Sequence, residues 1–274
     1  MPAQNLHEIE HQAWMQRASY YDALFAPVST QAIDAILDSL EPLNRRGHLD
    51  IACGTGHLVA AASKRGAASE GIDFAQAMVE AARQNYPGEC FQVADAAQLP
   101  YDDRSFDAVT CAFGLSHMED PQAAVNEAFR VLRAGGQFAF TLWYSEVAGG
   151  ELLSIVRTAL ANHGTTDFRL PDEWVRLRYA DEQACEAVTR QAGFSEPVFK
   201  KLPIVLQTRS AQDVLDFVDK LSVRTKLVID SQPPAEKQRI YEHILLEAEA
   251  RRTEGVIYLD WPALLTTAQK PTGD

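Results

Sequence analysis

Between residues 48 and 144 the chain alternates short apolar runs with stretches whose apolar positions recur every three or four residues. The runs 48–52, 68–72, 90–94, 106–111 and 136–143 read as strands, and the stretches 57–65, 75–86 and 121–132 as helices. Pro121 stands in a first turn, and Arg130, Arg133 and Gly135-Gly136 mark the end of that helix. Such alternation predicts a parallel sheet with helices packed on it. The flanks have a different pattern. Residues 6–25 read as an amphipathic helix carrying Trp14, Tyr20, Tyr21 and Phe25; Pro27 and Ser29-Thr30 stop it and cap a second helix from Gln31 to about Leu40. Beyond Tyr144, helices at 151–162 and 181–192 flank a polar loop, 163–173. A strand, 198–208, follows, and two helices, 211–222 and 234–252, separate it from a last strand, 255–267. Two strands that would otherwise pair as a hairpin, interrupted by helices, predict a helical lid on a sheet domain. The expected division is N-terminal helices over 1–45, a ligand-binding core over 46–208, a lid over 209–254, and a final strand and tail over 255–274, with 145–180 in the core segment beside the ligand edge.

Polar residues gather where the strands end. Asp50 lies in the first strand, Gly54 and Gly56 follow it, and a helix starts at about Leu58. Residues without a Cβ make such a turn and let a ligand lie against the backbone. The helix N-terminus adds free N–H groups and a positive dipole end. Glycine pairs also occur in ordinary turns. Asp73 supplies the context here: it ends the second strand seventeen residues after Gly56, close to the spacing at which an acid meets a ribose. The third strand leads into Asp95-Ala96 and the fourth ends in Phe113-Gly114-Leu115-Ser116-His117. The four ends converge on one edge, where open parallel sheets bind ligands.

Composition narrows the partner. The 274 residues, 46% hydrophobic, suffice for one large or two small domains, and no apolar run approaches the roughly 20 residues that cross a membrane. The N-terminus has no signal-peptide pattern. Cys53, Cys90, Cys111 and Cys185 form no Cys-x-x-Cys pair and read as reduced thiols of a cytoplasmic protein, not as a metal site or a disulfide frame. A net charge of −13 disfavours a nucleic-acid surface. The expected partner is a small molecule, and the protein is expected to be a monomer or homodimer.

The segments Leu49–Gly56, Gly71–Met78, Ala94–Pro100, Ser105–Val109 and Arg130–Gly136 occur in one order that resembles the class I S-adenosylmethionine-dependent methyltransferases, over about 15–145 and more loosely to 267. Within that class the chain is similar to the small-molecule branch related to ubiquinone and menaquinone methyltransferases. The resemblance implies an α/β, Rossmann-like, mostly parallel seven-stranded sheet with the last strand antiparallel and helices on both faces. It implies S-adenosylmethionine as cofactor and methyl transfer to an oxygen, nitrogen or carbon of a small acceptor. Ala52 stands where the family often has the first glycine of its loop.

By the same resemblance, Ala52, Cys53, Gly54 and Gly56 lie against the methionyl part of the cofactor. Asp73 binds the ribose, Phe74 and Met78 flank the adenosine, Asp95 and Ala96 meet the adenine, and Ala112 or Phe113 lines the methyl. Tyr21 or Arg17 reaches the carboxylate. Asp50 is read as holding the glycine loop.

His117, just past the fourth strand, is the candidate base, with a structural role for it left open. Trp14, Tyr20, Trp143, Tyr144, Phe168, Trp174 and Arg176 are candidates for the acceptor pocket, while Trp261 reads as core and His7 and His11 as solvated. Two rival functions use the same binding motifs: a cofactor-retaining cyclase or rearranging enzyme, and a non-catalytic binding module.

Overall fold

A computed structural model describes residues 6–144, 150–165 and 181–272. Its N-terminal arm is helical almost throughout: α1 (Leu6–Tyr20), a π-helical turn (Tyr21–Phe25), α2 (Ala26–Ser29), a 3₁₀ turn (Thr30–Ala32) and α3 (Ile33–Asp38). The break expected at Pro27 and Ser29-Thr30 does not occur. Pro27 falls in the first turn of α2, where its missing N–H leaves no helical bond unmade, and the Thr30 hydroxyl donates back to Ala26 O (2.5 Å) instead of capping. The wider π turn changes the helical phase between Trp14 and Phe25, and both are buried.

The remaining elements are β1 (Gly47–Ile51), α4 (His57–Lys64), β2 (Ala68–Asp73), α5 (Gln76–Asn85), β3 (Cys90–Val93), β4 (Phe106–Ala112), α6 (Pro121–Val131), β5 (Leu132–Trp143), α7 (Gly150–His163) and α8 (Glu182–Ala192). They continue with β6 (Val198–Leu202), β7 (Val205–Thr208), α9 (Ala211–Leu221), α10 (Val223–Asp230), α11 (Pro234–Glu249), β8 (Arg252–Thr253), β9 (Val256–Asp260) and β10 (Ala263–Gln269). Seven strands form one sheet in the order β3-β2-β1-β4-β5-β10-β6. β1 to β5 pair in parallel, and β10 runs antiparallel between β5 and β6, as expected of the last strand. Helices cover both faces, so β5 is apolar on both: Phe138, Phe140 and Leu142 pack with α6 and α8, while Ala139 and Trp143 pack with α3, α7, α9 and α11.

Three local expectations change. The runs 198–208 and 255–267 each divide in two, at Pro203 and Pro262, residues that have no N–H for a ladder. Their outer pieces, β7 and β9, leave the main sheet and form a three-stranded antiparallel sheet with β8. β5 starts at Leu132, with Gly135-Gly136 inside it, where its register with β4 shifts between Phe106 and Ala108. The 209–254 segment holds a third helix, α10, and buries Val214, Phe217, Val218 and Leu221 in the cluster that contains Phe25 and Trp143. Among the described residues no helix is long and apolar enough to cross a membrane.

Candidate active site

A cleft of about 250 Å³ opens at the ends of β1, β2, β3 and β4. Ala52, Gly54 and Asp73 line it from the glycine loop and β2, and Phe74 and Met78 from the start of α5. Asp95 and Ala96 line it after β3, and Ala112, Phe113 and His117 after β4, while Trp14 and Tyr21 close it from the N-terminal arm. His7, exposed as expected, also lines this cleft, and its ring and that of the half-buried His11 meet the Phe74 ring edge-on (5.6 and 5.4 Å).

The backbone at these strand ends is tightly constrained. Ala52 and Phe113 take positive φ (55° and 61°), a region L residues seldom occupy and one that costs about 1–3 kcal/mol. Neighbours hold them there: Cys53 N donates to Ile72 O (2.8 Å), and Phe113 N donates to Thr141 O (3.1 Å). Gly114 packs so closely that a Cβ on it would stand 2.6 Å from that of Ala52. Cys53 and Gly56, expected at the ligand, do not line the cleft. The Cys53 side chain packs against Gly71, and burial raises its thiol pKa well above the usual value. Gly56 starts α4, and a Cβ there would stand 2.7 Å from the Phe91 ring, so packing alone requires glycine.

Two buried carboxyls lie under the loop. Asp73 accepts Gly54 N (3.0 Å) and Ala75 N (2.9 Å), yet burial outweighs these donors and pushes it up to about 6. Burial, offset in part by the Thr110 hydroxyl that donates to it (2.7 Å), pushes Asp50 up to about 7. Thr110 also bonds His48, which burial pushes down to about 3 and so keeps neutral. Asp50 is bonded through Thr110 to β4 and is not among the cleft's lining residues. Asp95 is exposed at the rim; one oxygen accepts Ala97 N (2.9 Å), leaving the other for a ligand.

Asp22 anchors the arm over the loop. It accepts from Thr55 Oγ1 (2.6 Å), His57 Nε2 (3.0 Å) and Asn85 Nδ2 (2.8 Å). The Tyr21 ring consequently lies over Gly54, with Cζ 3.5 Å from where a Cβ would stand. Arg17 does not reach the cleft: its Nε donates to Lys220 O (2.7 Å) at the carbonyl end of α9, an interaction that a helix C-terminus favours. Tyr20 lies outside as well, exposed beneath the Lys220 ammonium.

A second cavity adjoins the first and shares Trp14, Phe25 and His117 with it. Trp143, Phe217 and Trp261 wall it, and Trp143 stacks between Phe113 (4.2 Å) and Trp261 (4.3 Å). Trp261 is buried in the core, as expected, and also forms part of this cavity's wall. Tyr144 is not: successive strand residues point to opposite faces, and it packs with Leu142 beneath Lys201 (4.2 Å). Phe168, Trp174 and Arg176 lie outside the described residues.

The polar end of this cavity holds residues that the sequence did not single out. Glu10, fully buried, accepts from Trp14 Nε1 (3.1 Å) and His117 Nδ1 (3.1 Å) through one oxygen and from Arg224 Nε (3.0 Å) through the other. Arg224 also donates to Ser116 O (2.6 Å). Burial would raise the Glu10 pKa, but His117, Arg224 and Arg17 together hold it below the usual value. Its one sequence signal was its place four residues before Trp14, on the same helix face.

Residues 49–140 match the methyltransferase domain family. The chain is 38% identical over 119 residues to the demethylmenaquinone methyltransferase of Clavibacter sepedonicus, a match covering 42% of this chain and 46% of that one. It thus spans about half the length of that relative. It is 30% identical over 187 residues to the ubiquinone/menaquinone biosynthesis C-methyltransferase of Dinoroseobacter shibae, covering 62% of this chain and 74% of that protein. Its fold resembles that of the YcgJ protein from Bacillus subtilis, with a TM-score of 0.61 at 22% identity over 89% of this chain and 100% of that one. With the strand order and the cleft it encloses, these similarities establish that the chain belongs to the S-adenosylmethionine-dependent methyltransferase family.

Proposed function

We propose that this protein transfers the methyl group of S-adenosylmethionine to an oxygen, nitrogen or carbon of a small, flat, largely apolar acceptor. The observation that carries this reading is the pair of adjoining cavities that share His117, one bordered by acids and the other walled by aromatics. The first fits the cofactor by its chemistry. Each Asp73 oxygen accepts one backbone N–H and keeps a lone-pair site for a ribose hydroxyl. Phe74 and Met78 offer apolar walls to a base, the free Asp95 oxygen can accept from its amino group, and the Ala52–Gly54 backbone borders the methionyl end.

When bound, the cofactor supplies a methyl group already activated by a sulfonium. The chain's own tasks are to align the acceptor and keep water out. Trp143, Phe217 and Trp261 orient a flat ring, while Trp14 and Phe25 separate the cavities and exclude solvent. For an O–H or N–H acceptor, His117 takes the proton at Nε2, which has no hydrogen-bond partner among the described residues. The relatives are named for ubiquinone and menaquinone biosynthesis, and a quinol ring has the flatness and edge oxygens that this pocket suits. Three buried, unpaired cysteines support a cytoplasmic setting.

Calorimetry with S-adenosylmethionine and S-adenosylhomocysteine, followed by methyl-transfer assays on a naphthohydroquinone and a panel of phenols and amines, tests the proposal. Micromolar or tighter binding is expected, with one S-adenosylhomocysteine released per methylated product. Absence of binding overturns the whole reading; product formed without S-adenosylhomocysteine release overturns the transfer.

A further inference from the structure

Glu10, His117 and Arg224 come from three separate parts of the fold: α1, the turn after β4, and α10. They meet in one buried knot, with Glu10 bonded to His117 107 residues away and to Arg224 214 residues away. A buried carboxylate bonded to the Arg224 guanidinium and within range of that of Arg17 stays ionised, and an ionised carboxylate accepts but cannot donate. The proton between Glu10 and His117 therefore sits on Nδ1, and Nε2 carries the lone pair. Arg224 makes this arrangement sustainable. Without it Glu10 would be a buried anion whose desolvation the imidazole alone would have to offset. By donating to Ser116 O it also ties α10 to the residue next to His117.

We propose that Glu10 is the positioning residue for His117, fixing the Nε2 lone pair toward the acceptor, and that Arg224 completes the unit, so that the base exists only while α1 and α10 both close over the strand ends. The catalytic consequence rests on the methyl-transfer reading above; the placement of the proton does not. As the acceptor's oxygen or nitrogen bonds to the methyl carbon and the carbon–sulfur bond breaks, the acceptor's proton passes to Nε2. The imidazolium so formed is stabilised at Nδ1–H by Glu10, and its Nε2 proton later returns to water. The charged groups facing this unit are Arg17 on α1, Arg224 on α10, Asp73 at the end of β2, and Glu119 and Asp120 beside the cleft. Arg17 and Arg224 face Glu10, and Asp73 faces His117 across the cleft.

The test is Glu10→Gln in the full chain. The amide keeps the shape and can donate to Nδ1, which moves the imidazole proton to Nε2 and removes the base while leaving a hydrogen bond in place. With S-adenosylmethionine and the naphthohydroquinone probe, kcat is expected to fall about 10²-fold with KM and cofactor affinity unchanged. Glu10→Asp should recover part of the rate. Nitrogen-15 spectra of the S-adenosylhomocysteine complex, with His117 assigned by its loss in His117→Ala, should show the Nδ1–H tautomer in the wild type and Nε2–H in Glu10→Gln. An Nε2–H tautomer in the wild type overturns the proposal, as does an unchanged kcat in Glu10→Gln. If the wild type transfers no methyl group at all, the transfer reading falls, and the wild-type tautomer still decides whether Glu10 holds His117.

Discussion

Asp73 and Glu10 are both buried carboxylates on either side of His117, and the fold treats them differently. Asp73, in the cofactor cleft, is held by two backbone N–H groups, one two residues away and the other nineteen, and its pKa is pushed up to about 6. Glu10, at the acceptor pocket, is held by Trp14, His117 and Arg224 side chains, and its pKa falls below the usual value. Backbone amides bring only partial charge and cannot offset the burial of an anion, whereas the full charge of a guanidinium can. The cofactor half is thus built by local backbone geometry around uncharged donors. The acceptor half is built by side-chain charges that only tertiary folding brings together.

If this contrast is right, changes on the acceptor side should cost rate and changes on the cofactor side should cost affinity. His117→Ala should lower kcat about 10²-fold or more while calorimetric affinity for S-adenosylhomocysteine stays unchanged. A near-normal rate in that variant would make His117 structural and leave alignment as the whole mechanism. Asp73→Ala should weaken cofactor binding about ten-fold or more, because it removes a carboxylate from two hydroxyls and also releases Gly54 N. Unchanged affinity would remove Asp73 from the site.

Asp50 tests the burial side of the comparison. A carboxyl raised to about 7 in the folded state contributes stability below its unfolded value, and that contribution is lost as pH rises through about 7. Asp50→Asn removes the loss, so the variant should melt several degrees above the wild type at alkaline pH, with the gap closing toward pH 5. His48 is pushed down to about 3 and opposes this trend in acid, but it is present in both proteins and drops out of the difference. A gap that does not change with pH would show that folding leaves the pKa of the Asp50 carboxyl unshifted. The smallest effect is expected from Asp22→Ala, which frees α1 from Thr55, His57 and Asn85. S-adenosylhomocysteine should then dissociate about three-fold faster in stopped-flow measurements, with little change in kcat.

Much of the cofactor half was legible along the chain. Gly54, Asp73, Asp95 and Phe113 follow four strands in short order, and a strand–turn–helix unit decides where its end residues go within a few positions. Locality also misled. Cys53 and Gly56 stand in the same turn as Gly54, but the Cys53 side chain packs against Gly71 and position 56 abuts the Phe91 ring. Trp143 and Tyr144 end one strand, and period-two alternation sends only one of them to the pocket.

By itself, the order of apolar runs, glycines and acids determined the parallel sheet and the edge where the cleft opens, because those depend on backbone periodicity and turn chemistry within about twenty residues; the cofactor class came from the resemblance of those segments to a known family. Tertiary structure decided the rest. Pro203 and Pro262 were visible, but which pieces leave the main sheet depended on β10 settling between β5 and β6. Nothing in the sequence singled out Glu10 or Arg224. A salt bridge across 214 residues has no local periodicity to announce it, and exists only once two helices close over a third element.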